Sequence, residues 1–163
     1  TSLTLNDIQD LARSTKSYGL RNLFIAHPSP SLRKLSRRLE THWLEGYGST
    51  YNTDRKDAMN IVEVVSSLDE AIMKIDLRTG KCPKIIATSA RDGDSRIEYK
   101  NLTQQMTSSP DPFLLLFGTG WGMSEDLMSR ADYILRPIKG PSEYNHLSVR
   151  SACAITLDRL LGT

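Results

Sequence analysis

Residues 112–122 read PFLLLFGTGWG. Pro112 opens the most apolar run in the chain, Phe113 to Phe117, and Gly118, Gly120 and Gly122 follow at alternate positions. A short run that is apolar throughout and bounded by proline and glycine reads as a strand buried on both faces, the kind found in parallel sheets. Glycines at alternate positions either make a tight turn or let the backbone approach a ligand closely.

Working outward, four more runs share this character: LFIA (23–26), IVEVV (61–65), KIIATSA (84–90) and YILRP (133–137). Helical patterns lie between them. Thr4 and Asp7 have capping-box spacing ahead of Ile8, Leu11 and Ala12, and Gly19 ends that helix. From Ser31 to Glu45, Leu32, Leu35, Leu39 and Trp43 form an apolar stripe, while Arg33, Lys34, Arg37 and Arg38 fill other positions. GYGSTYN (46–52) is turn-rich. Ser67 caps a helix carrying Ala71, Ile72 and Ile75 that stops at Gly80. Further helices are expected near 98–107, over 124–130, and in LSVRSACAITLDRLLG (147–162). Strands alternating with helices predict an α/β fold of four or five strands, a mostly parallel sheet flanked by helices on both faces.

With 163 residues the chain has room for one domain. A hydrophobic content of 39% argues against intrinsic disorder, and a formal charge of +2 is too small to imply a polyanionic partner by itself. No run of 18 apolar residues occurs, and no basic segment followed by an apolar stretch opens the chain, so neither a membrane span nor a secretory signal is expected. Cys82 and Cys153 stand far apart without a CxxC pair, which points to a reducing, cytoplasmic setting. His27, His42 and His146 lack ligand spacing, so no metal is expected. Cys153, on the apolar face of the last helix, reads as core.

In open parallel sheets ligands bind beyond the carboxyl ends of the strands. Three loops occupy such places: ATSAR (87–91), LFGTGWG (116–122) and PIKGPSEYNHLS (137–148). A dinucleotide fingerprint needs GxGxxG after the first strand and an acidic residue about 20 positions on. The glycine loop here is late and differently spaced, so a Rossmann cofactor is not expected.

FGTGWG (117–122), PIKGPSEYNHLSVRSACAITLDRLLG (137–162), ATSAR (87–91) and HWLEGYGSTYNTDR (42–55) together resemble the SPOUT superfamily of S-adenosylmethionine-dependent RNA methyltransferases. Within it the chain looks like a bacterial family related to, and sometimes fused with, the tRNA guanine-N1 methyltransferase. The resemblance covers nearly the whole chain. It implies a C-terminal trefoil knot, a topology otherwise nearly absent from proteins. It also implies a cytoplasmic homodimer acting on RNA, expected to be tRNA, with S-adenosylmethionine as cofactor. The positions matched to cofactor binding are Thr88, Ser89 and Ala90, then Gly118, Thr119, Gly120 and Trp121, then Ile138, Gly140, Asn145, His146, Leu147 and Ser148. An uncharged, glycine-rich wall suits adenine and a sulfonium.

Two departures stand out. The resemblance implies a further strand ahead of Thr1, so an N-terminal segment is expected to be missing. In NDIQDLARSTKSYGL (6–20), Asp7 stands where the ribose-methylating branch usually has Asn. Arg13 matches that branch's arginine. With a pKa above 12, a guanidinium would position the acceptor hydroxyl and stabilise its developing charge, leaving the proton to phosphate or water. Methylation of guanine N1 would instead need a carboxylate, with Asp7, Asp10, Asp126 and Glu143 as candidates. Arg33, Lys34, Arg37, Arg38 and Arg55 are candidate phosphate contacts, and Trp43 and Trp121 candidate stacking side chains, Trp43 also continuing the core stripe. Transfer to a ribose 2′-hydroxyl of tRNA is the expected activity. Base methylation, or a non-catalytic RNA- or cofactor-binding module assisting a partner enzyme, are the alternatives.

Overall fold

The computed structural model describes residues 4–31, 33, 34 and 53–163, without the side chains of residues 5 and 53–55. They divide into two compact units, one ending at Lys74 and the other running Ile75–Thr163.

The first unit opens with α1 (Leu5–Ser17). Thr4 and Asp7 close the expected capping box, the Thr4 hydroxyl accepting from the Asp7 amide while the Asp7 carboxylate accepts from the Thr4 amide at 2.9 Å. β1 (Leu23–Ala26) pairs in parallel with β2 (Val62–Val65), Leu23 opposite Val62 and Ala26 opposite Val65, and α2 (Thr53–Met59) precedes β2. Ile8, Ala12, Ile25, Ala58, Met59, Val62 and Val64 form one buried cluster. The spacing 8 and 12 turns one stripe of α1 onto that core and leaves Arg13 exposed on another face. α3 (Leu68–Thr79) follows β2. Glu70 closes its start, accepting from the amide and hydroxyl of Ser66 at 2.7 and 2.6 Å, bonds that hold its carboxyl below the usual range.

The second unit contains β3 (Lys84–Ala87), α4 (Tyr99–Ser108), β4 (Phe113–Leu116), α5 (Glu125–Ser129), β5 (Tyr133–Ile134) and α6 (Val149–Leu161). Its three-stranded sheet has the order β4-β3-β5, all parallel. Asp132 sets the β5 register by accepting from the Ile85 amide at 2.8 Å and from Lys84 Nζ at 3.3 Å. Ile86, Leu102, Leu135 and Leu160 fill the core, and Thr103 on α4 donates to the Leu160 carbonyl of α6.

The α/β class and parallel pairing match the sequence reading. Among the described residues the strands pair in two ladders, β1-β2 and β4-β3-β5. β5 is shorter than the run 133–137: Leu135 N still donates to the Ala87 carbonyl at 2.9 Å at the end of β3, but Leu135 also bridges Ile97, Arg136 N turns to the Ile97 carbonyl at 3.0 Å, and Pro137 has no amide to continue. α4 lies where a helix is expected near 98–107, with Glu98 at its N-cap, the Glu98 side chain pairing with Arg136 Nε at 2.7 Å. The helix expected over 31–45, with Arg37, Arg38 and Trp43, lies outside the described residues apart from Ser31, Arg33 and Lys34.

Candidate cofactor and acceptor site

The carboxyl ends of β3, β4 and β5 release three loops, 88–98, 117–124 and 135–148. Thr88 extends the pairing past β3, its amide and hydroxyl both donating to the Leu116 carbonyl, at 3.2 and 2.8 Å. Ser89 Oγ accepts from the Arg91 amide at 3.0 Å and turns the chain away from the sheet. Asn145 Nδ2 then donates to the Ala90 carbonyl at 2.9 Å, and Lys139 pairs with Asp92, so the first and third loops are tied together twice. The Lys139 ammonium, and next the Gly93 amide, hold the Asp92 carboxyl below its usual range.

The glycine loop is a closed turn. Gly122 N donates to the Thr119 carbonyl at 3.1 Å, with Gly120 at φ 59° and Gly122 at φ 90°, a region that penalises any Cβ. At Gly118 a Cβ would lie 2.7 Å from the Gly122 carbonyl carbon, so the turn folds back on its own backbone. Trp121 is left 97% exposed at the tip. In the third loop Ile138 is half-buried, Gly140 has open space beside it, and Tyr144 and Leu147 are exposed, with the Tyr144 and His146 rings edge to face at 5.4 Å. Ser148 caps α6, accepting from the Ser151 amide at 3.2 Å. Twelve of the thirteen matched positions are small, amide or neutral side chains, and the thirteenth is His146. Such a donor set, with a glycine turn and exposed apolar surface, fits a neutral adenine and a sulfonium and would hold a phosphate poorly.

In the first unit, Arg13 lines an open concavity of about 320 Å³ with Asp10, Ser14, Ser17 and Tyr18. These residues follow the 3.6-residue period on the face of α1 away from Ile8 and Ala12, a polar stripe visible in the sequence spacing, in which Ser14, Ser17 and Tyr18 join the expected Arg13 and Asp10. Asp7 is committed to the cap of α1. Asp126 and Glu143 are exposed on α5 and on the third loop.

Arg33 is half-buried, its Nη1 donating to the His27 and Pro28 carbonyls at 3.0 and 2.6 Å, while Lys34 is exposed. Arg37 and Arg38 lie outside the described residues, as does the side chain of Arg55. Cys153 is buried and desolvation pushes its thiol up to about 11, consistent with a core residue; Cys82 is exposed. Among the described residues no metal-binding cluster occurs, and no helix is long and apolar enough to cross a membrane.

A family model described as SAM-dependent RNA methyltransferase matches residues 1–162. A relative from Oleidesulfovibrio alaskensis named tRNA (guanine-N(1)-)-methyltransferase is 44% identical over 161 residues, 99% of this chain and 37% of its own length. The chain therefore spans just over a third of that relative. A protein of Aquifex aeolicus described as uncharacterized is 37% identical over 98% of this chain and 78% of its own length. Among solved structures, TrmJ from Z. mobilis superposes with a TM-score of 0.65 at 19% identity, covering 96% of this chain and 63% of its own, which speaks for the fold.

Proposed function

On the premise that the chain belongs to the SAM-dependent RNA methyltransferase family, we propose that it transfers a methyl group from S-adenosylmethionine to a ribose 2′-hydroxyl of tRNA. The observation that carries the ribose reading is Arg13, exposed in a concavity it shares with Asp10, Ser14, Ser17 and Tyr18. Bound in the three loops, the cofactor supplies an electrophilic methyl carried on a sulfonium. Thr88, Ser89 and Ala90, Gly118 to Trp121, and Ile138, Gly140 and Asn145 to Ser148 would hold it, mainly through backbone groups. The acceptor hydroxyl that takes this methyl from the sulfonium would lose its proton to phosphate or water. Arg13 orients that oxygen and stabilises its growing negative charge. Trp121, exposed at the tip of the glycine turn, is suited to stack on a base, a contact worth about 1–3 kcal/mol.

The reading includes a homodimer in which Arg13 serves the cofactor loops of the other copy, and a C-terminal trefoil knot as in the SPOUT family. Lys34, Arg37, Arg38 and Arg55 would track phosphates; Arg33, engaged with two carbonyls, would do so with its remaining nitrogens. A second reading, methylation of guanine N1, is favoured by Asp10, a carboxylate in the same concavity that could take the ring proton. The relatives' guanine-N1 name bears on it only weakly, since it describes proteins nearly three times the length matched here.

The test is Arg13→Ala. Transfer to tRNA should fall by roughly 100-fold or more while calorimetric cofactor affinity is unchanged. Full retained activity removes Arg13 from the mechanism.

A further inference from the structure

Arg96 lies in the loop leaving β3, and its Nε and Nη1 are buried without any hydrogen-bond partner. Charged nitrogens withdrawn from water and left unpaired are costly, so such a group usually has an anion to meet. The neighbouring charges do not supply one. Asp92 is committed through one oxygen to Lys139 and through the other to the Gly93 amide, and Glu98 is paired with Arg136 Nε.

The surroundings hold the guanidinium in place. Ser95 is the one non-glycine residue with positive φ among those described, at 64°, a conformation that strains the backbone immediately before Arg96. On the other side, Ile97 N donates to the Ile134 carbonyl at 2.8 Å and pins the chain to β5. Gly93 faces the guanidinium edge, since a Cβ there would lie 3.5 Å from Nη2 and 3.6 Å from Nε. That Nε–Nη2 edge is the one that can bind a carboxylate with two parallel N–H bonds, and glycine leaves it free of a side chain; Nη1 lies on the other side of the guanidinium.

We propose that Arg96 receives the carboxylate of the methionine moiety of S-adenosylmethionine. The inference rests on the methyltransferase reading above. The matched cofactor positions are uncharged, and of the cations in these loops Lys139 is paired with Asp92, Arg136 with Glu98, and Arg91 is exposed, which leaves Arg96 as the one with buried, unpartnered nitrogens to offer the cofactor's carboxylate. The Asn145–Ala90 and Lys139–Asp92 ties keep the loop bearing Arg96 beside the loop 135–148.

The experiment is titration calorimetry on the full chain with two probes, S-adenosylmethionine and its decarboxylated analogue, which differ only in the carboxylate. The wild-type protein should prefer the intact cofactor by roughly 10- to 100-fold, the range of a charge-assisted pair. Arg96→Ala should erase that preference and leave the decarboxylated probe within about twofold, while Arg96→Lys, keeping charge without the fork, should fall between. Ligand-free melting of each variant reports folding, and removing an unpaired buried charge should not lower it. Equal losses for both probes, or none for either, overturn the assignment. So does weaker RNA retention with cofactor affinity intact, which would give the guanidinium to a phosphate. A wild-type chain that binds neither probe would fail the methyltransferase reading itself.

Discussion

Replacing Gly118 with alanine puts a methyl carbon 2.7 Å from the Gly122 carbonyl carbon, 2.9 Å from the Met123 amide nitrogen and 3.0 Å from the Gly122 α-carbon. Carbon atoms rest comfortably at about 3.5–4.0 Å, so the nearest contact overlaps by about 0.8 Å or more. All three neighbours are backbone, and no side chain can rotate away to relieve it. The turn must open, which costs about 1–3 kcal/mol for an overpacked site. If that energy is needed to restore the binding geometry, the competent fraction falls to between about one fifth and one part in 150. Apparent cofactor affinity then drops by the same factor, and the melting temperature by roughly 2–4 °C per kcal/mol. Titration with S-adenosylhomocysteine and a thermal melt read the two effects. Gly140→Ala is the counterpart, because a Cβ there meets nothing within 4 Å. It should melt as wild type, so any loss of affinity would report the ligand's own approach to that position. Gly118→Ala binding and melting as wild type, or Gly140→Ala melting as low as Gly118→Ala, would refute the steric argument.

Asp92→Asn should loosen the tie between the first and third loops at neutral pH. Because Lys139 lowers the folded carboxyl's pKa, the contribution is complete above the unfolded value near 4 and is lost as pH falls through the lower, folded one; amide exchange of loop 135–148 in variant and wild type should converge once the wild-type carboxyl is protonated, and a difference that persists in that acid limit would sink the assignment. An aromatic disulfide reagent at pH 8 should modify one thiol per native chain, Cys82, and two after denaturation; rapid native reaction of both would contradict the burial of Cys153. Leu102→Ala, at 0% exposure among Ile86, Leu135 and Leu160, should cost about 2–5 kcal/mol in denaturant unfolding, and less than about 1 kcal/mol would show that the second unit's core lies elsewhere.

Local features of the fold were legible. Thr4 and Asp7 announce the capping box three residues apart, and the apolar run after Pro112 announces β4 with its glycine turn, because both signals are carried by neighbours in the chain. Contacts made at a distance were not. The Asn145–Ala90 bond joins residues 55 apart, and the bridge between Leu135 and Ile97 ends β5 early through a single residue in a polar loop. The basic helical pattern shows the charge of Arg33 and so its candidacy as a phosphate contact, while its bonds to the His27 and Pro28 carbonyls, six and five residues back, have no sequence signal. Arg96 had no signal of its own, since an arginine in a loop is ordinarily solvated and only the packing shows two of its nitrogens covered.

The central claim is methyl transfer to ribose, and incubation of the chain with labelled S-adenosylmethionine and unmodified tRNA, followed by alkaline hydrolysis, tests it directly. A 2′-O-methyl group blocks cleavage at its own nucleotide, so the account predicts label in alkali-resistant dinucleotides, lost in Arg13→Ala. Label released in mononucleotides would contradict it, placing the methyl on a base.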